Sequence, residues 1–176
     1  METFFVANAG LVYDGNWAGV ERQTVPGRIL AIDFGLKRMG VAVSDPLGVT
    51  AQSLPTLERR GRDEDVRRIE ALVVEYSAVR LVLGNPLSQS GDETEMSRRV
   101  TAFARRLRRR LSCSIELWDE RLTSVEANRV LHASGIGIEK RRRAVDRVAV
   151  TLLLQSYLDY LAGQTEAHSA PGAQRC

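Results

Sequence analysis

The sequence predicts an α/β domain, with one mixed β-sheet carrying helices on both faces. Three observations predict it. Strand-like segments come first, joined by short turns with no helix between them, which allows antiparallel pairs. Strand and helix patterns then alternate, and each strand–helix–strand passage implies a parallel neighbour. A chain of 176 residues with 44% hydrophobic content is the size of one domain with a real core.

The elements follow in order. Residues 1–26 hold Gly, Asn and scattered aromatics without period, and read as a flexible N-terminal extension. Ile29, Leu30, Ala31 and Ile32 form a short apolar run, the pattern of a strand buried on both faces. Gly35 and Gly40 shape the turn and the return strand, which ends near Asp45. A third short strand runs through Thr50–Leu54. A helix follows Gly61 and Arg62, with Val66, Ile69, Val73 and Tyr76 as its stripe. Val79–Leu83 is a buried strand ended by Gly84 and Pro86. Ser88–Asp92 is a polar loop. Met96, Val100, Phe103, Leu107 and Leu111 form one face of the next helix. Ile115 and Leu117 alternate with polar neighbours in a strand that continues to Trp118. Thr123-Ser124-Val125-Glu126 has capping-box spacing and starts a helix to about His132. The last helix begins near Glu139, with Val145, Val148, Ala149 and Leu152 as its stripe. Gly163 onward, with Pro171 and Gly172, reads as a disordered tail. The folded domain is therefore 27–162, between an extension at 1–26 and a tail at 163–176. A mixed sheet with helices on both faces in this order is the ribonuclease H-like arrangement.

Composition excludes several classes. No stretch is long and apolar enough to span a bilayer, and the N-terminal segment lacks the basic start and apolar core of a secretory signal. Cys113 and Cys176 make no disulfide framework, as expected of a reducing cytoplasm. His132 and His168 have no partner at metal-ligand spacing, so zinc is not expected. The formal net charge of +3 says little, but its distribution says more. Almost every base is arginine, whose planar fork suits phosphate. Arg98, Arg99, Arg105, Arg106 and Arg108–Arg110 lie along one helix, and Arg105–Arg110 read as a solvated helix face. Lys140–Arg143 and Arg147 cluster beside Asp146 and read as a nucleic-acid contact.

Three segments place acids in settings that solvation alone does not favour. Asp33 ends the first apolar strand, where an unpaired carboxylate is costly; alone, Asp33-Phe34-Gly35 is a weak signal and reads as a hairpin turn. Asp119 and Glu120 end the strand at Trp118. Alternation lets only one of the pair face a shared site, and the two also suit the N-terminus of the helix that follows. Asp146 lies next to an apolar helical stripe, where Arg142 and Arg143 could pair with it instead.

Together these segments are specific. Asp33, Gly35, Arg38 and Gly40 form an Asp-x-Gly-x-x-Arg-x-Gly pattern. It is followed by Ser44-Asp45-Pro46, Gly84-Asn85-Pro86-Leu87, Trp118-Asp119-Glu120-Arg121-Leu122-Thr123 and Val145-Asp146-Arg147-Val148-Ala149. In this order and spacing the chain resembles the YqgF/RuvX family from about Arg28 to about Leu161. It departs from the family pattern at Asn85 and Gly137, and neither change removes an acid.

The resemblance implies a ribonuclease H-like fold and a RuvC-like nuclease that processes the 5′ end of pre-16S ribosomal RNA. Phosphodiester cleavage needs charge stabilisation at phosphorus and an activated water. Converging carboxylates repel one another and are relieved by divalent cations with oxygen preference, Mg2+ or Mn2+. Asp33 is the expected central ligand, Glu120 and Asp146 complete the set, and Asp119 is the reserve. Lys37, Arg38, Arg121, Thr123, Arg141, Arg142 and Arg143 are the expected backbone contacts, which position the substrate without reading sequence. The expected partner is nucleic acid, either pre-rRNA or branched DNA, with no membrane association and with the chain a monomer or homodimer. Two rivals are a Holliday junction resolvase acting on DNA and a non-catalytic binding module of the same fold. An actin-like ATPase would need a second domain and a second phosphate loop, for which this chain is too short.

Overall fold

The computed structural model describes residues 27–119 and 138–169, and in the second stretch the side chains of 147–164. Strands β1 (Arg28–Phe34), β2 (Arg38–Ser44), β3 (Ala51–Ser53) and β4 (Leu57–Glu58) come first. Then follow α1 (Arg62–Glu75), β5 (Ala78–Asn85), α2 (Glu95–Arg108), β6 (Ser114–Asp119) and α3 (Ile138–Ser169). The sheet order is β3-β2-β1-β5-β6, with β4 also paired to β2. β1, β2 and β3 are antiparallel neighbours, whereas β5 and β6 run parallel to β1. The mixed α/β architecture is the predicted one.

Alternation along the strands divides the core into two layers. Leu30, Ile32, Val41, Leu81 and Leu83 pack on Val66 and Ile69 of α1 and on Val100, Phe103 and Leu107 of α2. On the other face Ile29, Ala31, Ala42 and Val82 pack on Val150, Leu153, Leu154, Tyr157 and Leu158 of α3. The alanines let α3 lie close across β1, β2 and β3. Burying each large aliphatic side chain contributes about 1.5–3 kcal/mol. Among the described residues no helix is long and apolar enough to cross a membrane.

Four details depart from the sequence reading. β5 does not end at Gly84. It runs to Asn85, because Gly84 pairs with Trp118 and Asn85 with Asp119, and that pairing overrides the weak strand preference of glycine. β4 is an additional strand of two residues, made only by the pairs Arg38–Glu58 and Met39–Leu57. α3 passes through Gly163 to Ser169, where a tail is expected. One glycine costs a helix only about 1 kcal/mol relative to alanine, and Pro171 lies beyond the helix end. Finally, the sheet-facing stripe of α3 is Val150, Leu153, Leu154, Tyr157 and Leu158, while Leu152 is only half-buried. Residues 1–26 and the expected helix from Thr123 to His132 lie outside the described residues.

Candidate functional site

Asp33 is placed by the alternation of β1. Leu30, Ile32 and Phe34 face α1 and α2, and Ile29 and Ala31 face α3. Asp33 has the parity of Ile29 and Ala31, so it sits half-buried on the α3 face near the C-terminal end of its strand. On one side it pairs with Gly40. On the other, Ile32 pairs with Leu83, so the next residues along, Asp33 and Gly84, are level. Gly84 pairs in turn with Trp118, which packs against the α3 layer. Asp33 is therefore flanked on both neighbouring strands by residues without a side chain.

The turn after Asp33 is tight and braced. Gly35 N–H donates to Arg38 O at 2.9 Å. A Cβ at Gly35 would lie 2.6 Å from that same oxygen, so only glycine fits without displacement. Arg59 holds the turn from outside, donating from Nη1 to Gly35 O at 3.2 Å and from its backbone N–H to Lys37 O at 2.9 Å. Lys37 is exposed at the tip, and Arg38 is half-buried at the start of β2.

Helix α3 is aligned by two polar contacts. Gln155 Oε1 accepts from Ala51 N–H at 3.0 Å, and Ala51 lies opposite Ser44. Two turns earlier, Arg147 Nε donates to Ser53 Oγ at 3.2 Å, and Ser53 lies opposite Ala42, which pairs with Ala31. Passing from Gln155 toward the helix N-terminus therefore moves along β2 toward Gly40 and its partner Asp33. Position 146 is i−4 from Val150 and i−7 from Leu153, on the line of the sheet-facing stripe.

The remaining predicted residues fall as follows. Asp119 ends β6 with the parity of Ile115 and Leu117, on the α1/α2 side, opposite in face to Asp33. Glu120, Arg121 and Thr123 lie outside the described residues. Arg141, Arg142, Arg143 and Asp146 lie in the first turns of α3, with their side chains outside the described set. Among the described residues no group of three His, Cys, Asp or Glu is arranged to hold a metal ion.

Other polar groups escaped the sequence reading. Asp65 is fully buried, accepting from Arg59 Nε and from Arg60 N–H, each at 3.0 Å. Its sequence signal, an acid in the first turn of a helix, is that of any dipole-compensating residue. Asp45 accepts from the N–H groups of Thr50 and Val49, each at 2.7 Å, and of Leu47 at 3.1 Å, so it organises the loop between β2 and β3. Tyr157, Glu116 and Arg80 form a network beneath α3.

A model of the RuvX family, described as Holliday junction resolvase, matches residues 27–160. The chain belongs to the RuvX family. A relative from Koribacter versatilis is 44% identical over 139 residues, 79% of this chain and 91% of that one. Another from Syntrophus aciditrophicus is 46% identical over 135 residues, 77% and 90% of the two chains. Both carry the name "Putative pre-16S rRNA nuclease". A solved yeast mitochondrial Holliday junction resolvase superposes with a TM-score of 0.55 over 80% of this chain and 81% of its own, at 11% identity. That likeness places the RuvX chain in the resolvase fold, ribonuclease H-like as predicted. The RuvX match covers all six described strands and most of α3.

Proposed function

We propose that this RuvX chain is a divalent-metal-dependent nuclease that processes the 5′ end of pre-16S rRNA. The observation that carries the proposal is the setting of Asp33. It stands between Gly40 and Gly84 on the sheet face that α3 covers, at the level toward which the N-terminus of α3 runs. Position 146 lies on the sheet-facing line of that helix. Strand alternation lets only one of the adjacent acids Asp119 and Glu120 face a shared site, and Asp119 has the parity of the α1/α2 face. Asp33, Glu120 and Asp146 then form an all-oxygen donor set, which fits Mg2+ or Mn2+. Asp119, with opposite parity, is the weaker ligand.

In this reading Asp33, Glu120 and Asp146 hold the cation, and the glycines level with Asp33 on β2 and β5 add no side chain of their own beside it. When bound, the cation supplies charge stabilisation at the phosphoryl oxygens and a more acidic water. Lys37 at the turn tip and Arg38 hold phosphate on one side of the site. Arg121, Thr123 and Arg141–Arg143 are further phosphate contacts. All of these contacts position the backbone and read no bases.

A second reading, cleavage of branched DNA, is favoured by the description of the RuvX family model. One substrate panel separates the two. A pre-16S rRNA 5′ precursor, an unrelated RNA and a four-way DNA junction are incubated with Mg2+, with Mn2+ and with EDTA. The proposal expects metal-dependent cleavage of the precursor, suppressed by EDTA. Cleavage of the junction alone would select the second reading, and cleavage in EDTA would end the metal-dependent one.

A further inference from the structure

The end of β1 also opens toward the sheet face opposite Asp33. There, beside Phe34 and Phe103, lies a cavity of about 440 Å3 walled by Arg59, Arg62, Arg99 and Arg106. The two rings are 4.7 Å apart between centroids and close its floor. Arg59 is the fixed member. Its guanidinium carbon lies 4.2 Å from the centre of the Phe34 ring, its Nε is 3.0 Å from the fully buried Asp65 carboxylate, and its Nη1 donates to Gly35 O. A buried carboxylate spent on orienting one arginine leaves that guanidinium with a donor edge still to direct.

The other three arginines are less committed. Arg99 meets Glu95 and Arg106 meets Asp63 at 3.6 Å, but these carboxylates are 80% and 91% exposed, so the pairs are weak and screened by salt. Arg62 is exposed at the start of α1, with no ion partner among the described residues. The sequence reading took Arg106 for part of a solvated helix face. The residue is indeed exposed, and with Arg99 it lines this cavity.

The spacing selects the ligand class. Arg99 and Arg106 are two helical turns apart, about 10 Å along α2, so no single phosphate spans them. Phe34 is already covered by Arg59, so a base finds no open ring to stack on. A groove of fixed and free guanidiniums over a closed aromatic floor fits a chain of phosphates.

We propose that this groove holds the phosphate backbone of the RNA flanking the cleaved bond, after the RNA passes over the C-terminal end of β1 at Asp33 and Phe34. The proposal rests on the nuclease reading for its substrate, and its test does not use cleavage. Binding of a labelled single-stranded RNA by the full chain is followed in EDTA across a range of KCl concentrations. The combined variant Arg62→Ala, Arg99→Ala, Arg106→Ala is compared with the charge-matched Arg98→Ala, Arg105→Ala, Arg109→Ala. For three lost phosphate contacts the slope of log affinity against log salt should flatten by about 2 in the groove variant and stay parental in the matched one. If the groove variant does not fold, Arg62→Glu alone should weaken binding at low salt. An unchanged slope in the groove variant, an equal loss in the matched variant, or a parent that does not bind RNA overturns the groove. Failure of the nuclease reading shows separately, as a parent that binds with the expected slope but cleaves nothing in Mg2+.

Discussion

The Tyr157 side chain is buried against the sheet, yet its hydroxyl is fully engaged. It donates to Glu116 Oε2 at 2.6 Å and accepts from Arg80 Nη1 at 2.7 Å. Burial first, and then the hydrogen bond to Glu116, push the phenol from 10.0 up to about 12, against the opposing pull of Arg80. A group whose proton is held more tightly in the folded state stabilises it fully below the unfolded value. That contribution is lost as pH rises from about 10 through about 12. Tyr157→Phe should cost about 1.5–3 kcal/mol at neutral pH, the range for hydrogen bonds to charged groups. It should also flatten the alkaline loss of stability. Urea unfolding at pH 7 and pH 11 measures both, and parental stability with a parental alkaline slope would refute the network.

Asp45 has the opposite sign. The N–H of Thr50 first, with those of Val49 and Leu47, holds its carboxyl below 3.8, so its contribution is present above that value and fades as pH falls below it. Local sequence showed Ser44-Asp45-Pro46 as part of a pattern but not its use. That use depends on amides as far as five residues away curling back onto one carboxylate.

At the scale of elements, α2 is pinned where β5 ends. Thr94 Oγ1 accepts from Ser97 N–H at 3.0 Å and donates to Pro86 O at 2.7 Å, while Thr94 N–H donates to Ser97 Oγ at 3.1 Å. Thr94→Ala removes both side-chain bonds and should cost about 1–2 kcal/mol, the upper part of the range for a lost helix cap. Chemical denaturation checks this, and a loss below about 0.5 kcal/mol would place the cap outside the stabilising contacts. The helices and long strands were legible because their periods are local, as with Val66 and Ile69 of α1. β4 was not, because two residues have no period and exist only through β2. The stripe of α3 was misplaced for a related reason. Val148, Ala149, Val150, Leu152, Leu153 and Leu154 offer two apolar faces, and only the sheet decides between them. The choice matters, because the correct stripe carries position 146 on its line.

At the scale of the molecule, the sheet divides the work. Its α3 face carries Asp33 between two glycines, and its α1/α2 face carries Asp119 and the arginine groove. Asp33 was legible as a candidate because a strand end and a glycine turn announce themselves in sequence. The groove was not, because Arg59 and Asp65 are joined to Phe34 only by the fold. The basic cluster at the start of α3 belongs to the same scale. Replacing Arg141, Arg142 and Arg143 with Ala should weaken RNA binding across sequences and lower the salt slope by about 2, at roughly 0.7 per single-strand phosphate. A parental slope in an anisotropy titration would return these residues to a solvated face.

The central claim is that the acids of the α3 face carry the cleavage. Single-turnover cleavage of the pre-16S precursor in Mg2+ by the parent, Asp33→Asn and Asp119→Asn tests it most directly. The first substitution removes a charge with little change of shape, and the second does the same on the opposite face. Asp33→Asn should lose activity by at least the order of 10²–10³, the scale of one lost electrostatic stabiliser in an active site, while Asp119→Asn stays near the parental rate. Parental cleavage by a folded Asp33→Asn protein would contradict the claim.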